Sequence, residues 1–319
     1  MLNLHKFIER INTESKFSGE IKYDKAMSEL TTFKLGGKAD IWIKPEKGIF
    51  RNYVSKLLAS AKEEGIGVFI LGAGANIVVS DQGIRGIVLD TGNFCGIDYH
   101  GVYGEKENEE IIKVLSGTQV DWLTDTLAEE GLSGLEFLAG MPGSVGGSVW
   151  MNARSYGKSI SDVLYETEIL DEDFIERIIP YKAEDFDYKK SPFQESENLI
   201  LSASFTLRLA EKHEIKKKMT VNRQDRDKKG HYRYPSAGSA FKNNPNFGEP
   251  TGKIIEDLGL RGFSIGGAQV APWHGNIVIN TGSATAKDVK NLIIELARRV
   301  KEEKGFDLDS EILFVGDWF

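Results

Sequence analysis

Cysteine occurs once in the 319 residues, as Cys95. An internal disulfide is therefore excluded, and this usage suits a reducing compartment. In the run Asn93-Phe94-Cys95-Gly96 the thiol reads as a space-filling residue rather than a nucleophile. A basic excess is also lacking, since Lys+Arg 40 stand against Asp+Glu 48 for a formal net charge of −8. Nucleic-acid affinity comes chiefly from neutralising phosphates, so a role in coating nucleic acid is excluded. Any small anion must be met by positive charge gathered locally. Long apolar runs are missing as well. The opening Met1–Arg10 reads as an amphipathic helix with charges throughout, unlike a signal peptide, and no stretch reaches membrane-spanning length. The expectation is a cytoplasmic protein without membrane insertion. No Cys/His cluster supports a metal site, and no internal repeat or low-complexity linker is present.

Helical spacing of Phe50, Val54, Leu57, Leu58 and Ala61 predicts a helix over 48–65, followed after Gly65 by the strand Val68–Leu71. Ile87–Leu89 and Ile111–Leu115 read as further strands. Val120, Leu123 and Leu127 mark a helix that Gly131 ends. The region 160–208 is β-rich and closes with Leu199–Leu207. Character then changes near residue 210: Lys212–Arg233 is a basic helix, and a loop rich in Gly, Pro, Asn and Ser runs on through Pro250. Thr285-Ala286-Lys287-Asp288 resembles an N-cap with an acid at the third helical position. Val289, Leu292, Ile293, Leu296 and Val300 form the buried stripe of that last helix, and Glu311–Val315 reads as a terminal strand. The division expected is 1–95, 96–209 and 210–319.

Two glycine-rich segments stand out. Gly72, Ala73, Gly74, Ala75, Asn76 and Ile77 follow the strand at 68–71. A dinucleotide loop of the Rossmann type needs a third glycine and then a helix; here Ile77 and further β-branched residues follow, so the loop joins strand to strand. Its consecutive amides can still cradle a phosphate. The second segment, Gly134–Gly147, includes Gly140, Met141, Pro142, Gly143, Ser144, Gly146 and Gly147 but no Gly-Lys-Ser/Thr, which excludes the usual ATPase loop. Two such loops flanking a helix point to one shared anion such as a diphosphate, against the plainer reading of two tight turns.

These motifs, with Thr32–Asp40, Gly131–Gly157, Tyr188–Phe193, Pro235–Asn243, His274–Asn280 and Glu311, occur in the order found in the UDP-N-acetylenolpyruvoylglucosamine reductase family, which the chain resembles from about residue 20 to its end. The resemblance implies an α+β fold. An FAD-binding unit of the vanillyl-alcohol-oxidase/p-cresol-methylhydroxylase type, made of two subdomains, would be joined to a smaller α+β substrate domain. It implies FAD held non-covalently by the two glycine loops, NADPH as hydride donor, a UDP-sugar substrate and a monomer. The enolpyruvyl double bond would be reduced by hydride transfer through flavin N5. The chain looks like the compact subtype of the family.

Hydride addition to an enol ether conjugated to a carboxylate leaves an enolate-like dianion, which needs charge stabilisation and one proton. By motif match Ser239 is the proton donor, although a serine in such a turn would otherwise read as structural. The resemblance implies that Glu311, acting protonated beside the developing charge, is the second catalytic residue, for which it would have to be sheltered from water. Tyr188-Lys189-Lys190-Ser191 stands where the family usually has Tyr-Arg-x-Ser. Lys189 keeps the charge but loses the planar fork that fits a carboxylate, so weaker orientation of the enolpyruvyl group is expected. Arg154 stands where glycine is usual and Ala271 where serine is common; both bear on fine specificity. Tyr188, Asn243, Arg261 and His274, with Arg223 or Arg226 from the basic helix, are the candidates for substrate binding.

Two alternatives stay open at this level. One is another FAD oxidase or dehydrogenase of the same fold. Such enzymes often tether the flavin through His or Cys, but Cys95 and His100, the only such residues in the first 200 besides His5, lie in neither glycine loop. The other is a non-catalytic descendant that binds nucleotide.

Overall fold

A computed structural model describes residues 2–98 and 108–318; His100 lies outside them. The chain divides into two compact units. The first comprises Met1–Lys22, Ile41–Ala73 and Gly86–Gln224, the second Tyr23–Asp40, Gly74–Arg85 and Asp225–Phe319. The strands Gly19–Ala26, Lys38–Pro45 and Ile84–Asp90 each run on from one unit into the other, and with Val68–Leu71 they make a four-stranded sheet.

Two hydrophobic cores build the first unit. In one, the helices Leu2–Ser15 and Phe50–Glu63 cover the inward residues Ile41, Ile43, Ile87 and Leu89. Phe50, Tyr53, Val54, Leu57 and Ala61 are buried at the spacing of one helical face, and Phe50 stacks on Phe94 with ring centroids 4.2 Å apart. The expected strand at Ile87–Leu89 is longer, Ile84–Asp90, and lies parallel to Val68–Leu71.

The other core lies on an antiparallel sheet ordered Glu176–Pro180, Leu164–Leu170, Leu199–Leu209, Glu109–Leu115 and Ile97–Asp98. Helix Val120–Glu130 packs Leu123 and Leu127 against it and ends at Gly131, whose φ of +78° is the left-handed conformation that glycine permits at a helix end. The basic helix is Lys212–Lys228, shorter than the sequence suggested. It buries Ile215 and Met219 against Ala128 and Ala139. Its charges are met by acids: Lys216 by Glu129 at 2.7 Å, and Arg223 by Asp121 and Asp125 at 2.6 and 2.9 Å.

The second unit packs helix Ala286–Lys304 on an antiparallel sheet ordered Ser236–Ser239, Ile277–Asn280, Ala268–Val270 and Ser264–Ile265. Thr285 and Asp288 form the capping box, each side chain accepting the other's amide at 3.0 Å. The terminal strand is Leu313–Val315, parallel to Ile77–Val79, and begins two residues later than the apolar run implies. The cause is the partner of Glu311, whose amide donates to Ala240 O at 2.9 Å instead of joining that strand pair. No helix among the described residues is long and apolar enough to cross a membrane.

Within the first unit one ion cluster joins the parallel strands' helix to the antiparallel sheet. Arg51 grips Glu168 with both nitrogens at 2.9 and 2.7 Å, and Lys113 and Ser202 add contacts of 2.8 and 2.7 Å. Burial alone would raise the Glu168 pKa, but these hydrogen bonds bring it down to about 2. A depressed carboxyl pKa contributes stability above the unfolded value near 4.3, lost as pH falls toward the folded one. Glu168→Gln is therefore expected to destabilise the first unit by about 2 kcal/mol near neutrality. Denaturant melts should show the gap to wild type narrowing as the pH is lowered below about 4; a gap independent of pH would show that the lost charge is not the cause.

Candidate active site

The first glycine loop leaves strand Val68–Leu71, whose last carbonyl accepts the amide and hydroxyl of Thr91 at 3.0 and 3.1 Å. A Cβ on Gly72 would fall 2.4 Å from Ser144 Oγ, so the backbone of one loop lies directly against a side chain of the other. Ser144 is buried and caps the short helix Val145–Trp150, its Oγ accepting from the Gly147 amide at 3.4 Å. The second loop is clamped along its length. Val120 donates to Gly143 O at 2.9 Å, Val145 to Thr118 O at 2.9 Å and Gly146 to Ser116 O at 2.8 Å. At Gly146 a Cβ would press to 2.8 Å on Ser116 Cβ. Gly140 donates to Asp121 Oδ1 at 2.6 Å, and Arg223 holds the same oxygen, so the basic helix steadies the loop through Asp121.

From Gly74 onward the first loop belongs to the second unit. Gly74 has φ +63° and stands where a Cβ would come within 2.2 Å of Leu30 O, while its own carbonyl accepts from the Thr32 amide at 3.1 Å. Asn76 donates through Nδ2 to Glu311 O at 2.9 Å, and Ile77 pairs with Leu313.

The donor set fits a diphosphate. Within the first unit the amides of Gly72 and Ala73 have no acceptor among the described residues, nor do those of Gly143 and Ser144. Ser116 Oγ, beside Gly146, is buried without a partner among the described residues. Unmatched buried donors are costly unless a bound group accepts from them. Consecutive main-chain amides with no side chains in the way form the concavity that receives phosphate oxygens.

The candidate catalytic residues fall into two groups. In the second unit Ser239 and Glu311 lie on adjoining segments. Glu311 donates to Ala240 O, Lys242 donates to Asp309 O at 2.9 Å, and Phe241 bridges Ser310. Asn276, buried, fixes this pair by accepting from Phe241 N at 2.9 Å and donating to its carbonyl at 2.8 Å. Glu311 is 8% exposed. Ser239 is half-buried and pairs with Ile277 across a bulge.

Three candidates for substrate binding in this unit already hold protein partners. Arg261 bonds Glu256 at 2.5 Å and Pro272 O at 2.8 Å, Asn243 Oδ1 accepts from the Thr251 amide at 2.9 Å, and His274 Nδ1 accepts from the Asn276 amide at 3.1 Å. Burial, and then Lys229 and Arg261, push the His274 pKa down. Its neighbour His231 is lowered to about 4 by burial and Arg226. Both imidazoles are neutral near pH 7, so His274 offers a hydrogen bond and not a charge.

In the first unit, Tyr188 and Lys189 occupy the tip of a turn closed by Asp187 and Lys190, whose amides and carbonyls bond each other at 3.2 and 3.0 Å. Lys189 has φ +57° and its carbonyl accepts from Gln194 Nε2 at 3.1 Å. Asn152 donates to Asp187 O at 2.8 Å and Ser191 to Trp150 O at 2.6 Å, lacing the turn to the segment after the second glycine loop. Sequence reasoning passed over Asn276, Ser116 and Asn152; the only signal for each is an amide or hydroxyl inside a glycine-rich motif.

The family model for the UDP-N-acetylenolpyruvoylglucosamine reductase C-terminal domain matches residues 230–315, and an FAD binding domain model matches 51–173. The UDP-N-acetylenolpyruvoylglucosamine reductase of Treponema denticola is 42% identical over 96% of this chain and 97% of its own. That of Borreliella burgdorferi is 38% identical over 98% of each. The crystal structure of the reductase from Thermus caldophilus superposes with a TM-score of 0.73, at 32% identity, over 93% of this chain and 99% of that one.

The loop contact yields a direct test. Gly72→Ala places a methyl group against Ser144 Oγ, and purified protein should carry several-fold less FAD per chain, read from the ratio of flavin to protein absorbance. Ser144→Ala in the same chain removes the obstructing atom and should restore part of the loss. Full FAD content in Gly72→Ala would show that the two loops do not need their close approach to hold the cofactor.

Proposed function

Because the chain belongs to the UDP-N-acetylenolpyruvoylglucosamine reductase family, we propose that it reduces the enolpyruvyl group of UDP-N-acetylglucosamine enolpyruvate to give UDP-N-acetylmuramate, with NADPH as reductant. It is an FAD-dependent oxidoreductase of peptidoglycan precursor synthesis. FAD, when bound, would supply the redox chemistry that links NADPH to the enolpyruvyl double bond.

The protein's own residues supply the rest. Glycine-loop amides from Gly72 to Ala75, with Gly143 and Ser144, take the diphosphate of FAD without a covalent tether. Ser239 gives its hydroxyl proton to the carbon next to the ether oxygen, which balances the hydride added at the terminal carbon. Glu311, shielded from water, donates a hydrogen bond to the substrate carboxylate as charge accumulates there. Lys189 and Tyr188 orient that carboxylate, while Asn243, Arg261, His274 and Arg223 contribute to holding the UDP group, the arginines by exchanging a protein carboxylate for a phosphate. The observation that supports this most directly is the hydrogen bond from the Glu311 amide to Ala240 O, which sets the proton donor and the acid on adjoining segments. Within this reading the three-part division at 1–95, 96–209 and 210–319, the vanillyl-alcohol-oxidase type of FAD unit, the cytoplasmic location and a monomeric state are proposals too.

Anaerobic stopped-flow tests the function. NADPH should bleach the visible flavin band, and the enolpyruvyl UDP-sugar should restore it. In Glu311→Gln, bleaching should keep its rate and recovery should slow by roughly 100-fold or more. Bleaching that the enolpyruvyl sugar cannot reverse in the wild type would overturn the substrate assignment. Equal slowing of both halves in the variant would remove Glu311 from the chemistry.

A further inference from the structure

Arg154 begins a two-residue hairpin in which Arg154–Ser155 pairs antiparallel with Lys158–Ser159, in the register Ser159↔Arg154. The turn residues Tyr156 and Gly157 have φ of +50° and +78°, the pattern of a type I′ turn that matches strand twist. Tyr156 ties the tip down by donating from its hydroxyl to Asn222 O at 2.9 Å. Directly opposite Arg154, buried Ser159 accepts from Nη1 at 3.1 Å. The guanidinium carbon lies 5.9 Å from the centroid of the Tyr188 ring. One nitrogen of the fork is thus anchored, and the guanidinium lies over the Tyr188 ring.

The remaining donors of Arg154 have no carboxylate or other acceptor among the described residues. This sets it apart from Arg223 and Arg261, which acids hold. Arg154 is exposed, held at one nitrogen by Ser159 and without a counter-ion among the described residues, so its remaining donors can meet an exogenous anion, and its planar fork matches a carboxylate. Its aromatic neighbour Tyr188 adjoins Lys189, the cation that replaces a fork by a point charge.

We infer that Arg154 binds the carboxylate of the enolpyruvyl group, supplying from the hairpin the two-pronged contact that Lys189 cannot make. The inference rests on the function proposed above. It makes Arg154 a determinant of specificity for the carboxylate-bearing sugar, while Lys189 adds charge to the same group.

Two ligands that differ in the carboxylate give the test. FAD-loaded holoenzyme is titrated calorimetrically with UDP-N-acetylmuramate, which carries it, and with UDP-N-acetylglucosamine, which does not. Arg154→Gln should weaken the first by about 10- to 100-fold, the loss of a charged hydrogen-bonded pair, and leave the second within about twofold. Lys189→Arg added to Arg154→Gln should recover most of that loss by returning a fork to the neighbouring position. Equal weakening of both ligands would place the guanidinium on the diphosphate and overturn the inference. So would an unchanged preference for the carboxylate, a defect confined to NADPH, or no recovery in the double variant. Should the wild type itself fail to prefer the carboxylate-bearing ligand, the functional reading falls and takes this inference with it.

Discussion

Backbone proximity governs this molecule. Gly72 lies so close to Ser144 that a single methyl group has no room, and Gly146 is nearly as tightly set on Ser116. These approaches free main-chain amides on both loops from protein acceptors. Donors so placed need no reorganisation to meet phosphate oxygens, and loops of this kind let an acidic chain offer an anion site without gathering lysines. The surrounding elements serve that arrangement. Val120, Val145 and Gly146 pin the second loop by backbone bonds, Asp121 holds Gly140, and Arg223 holds Asp121.

Some of this was legible in the residues alone. Helices at Phe50–Glu63 and Ala286–Lys304 declare themselves through one-sided burial and, in the second, through the capping pair Thr285 and Asp288. The glycine loops were visible because spacing and missing residue types exclude other uses. Pairing across the chain was not visible. The apolar run at residue 311 onward reads as one strand, yet Glu311 bonds Ala240 while Leu313 pairs with Ile77. Nor does composition reveal which core the basic helix joins, since Ile215 and Met219 find Ala128 and Ala139 only in three dimensions. Counting lysines and arginines likewise hides the acids that occupy Arg223 and Arg261.

That distinction organises the polar chemistry. Cations already matched by carboxylates gain little from a second anion until the first is displaced. A cation positioned by a hydroxyl and a ring retains its full capacity. The neutral imidazoles of His231 and His274 contribute direction without charge, because burial and nearby cations disfavour their protonation.

The path of the chain through the two units has a consequence for its synthesis. Phe33, Leu35 and Val78 belong to the same core as Ile254, Leu292 and Ile312, although they leave the ribosome far earlier. Roughly 230 residues separate Val78 from Ile312, so at about 5–20 residues per second these apolar side chains wait some 10–45 s for their partners. Through that interval the nascent protein must shelter them by other means, whether by transient non-native burial or by a chaperone. A fragment comprising the last third alone would lack the three side chains that complete its interior.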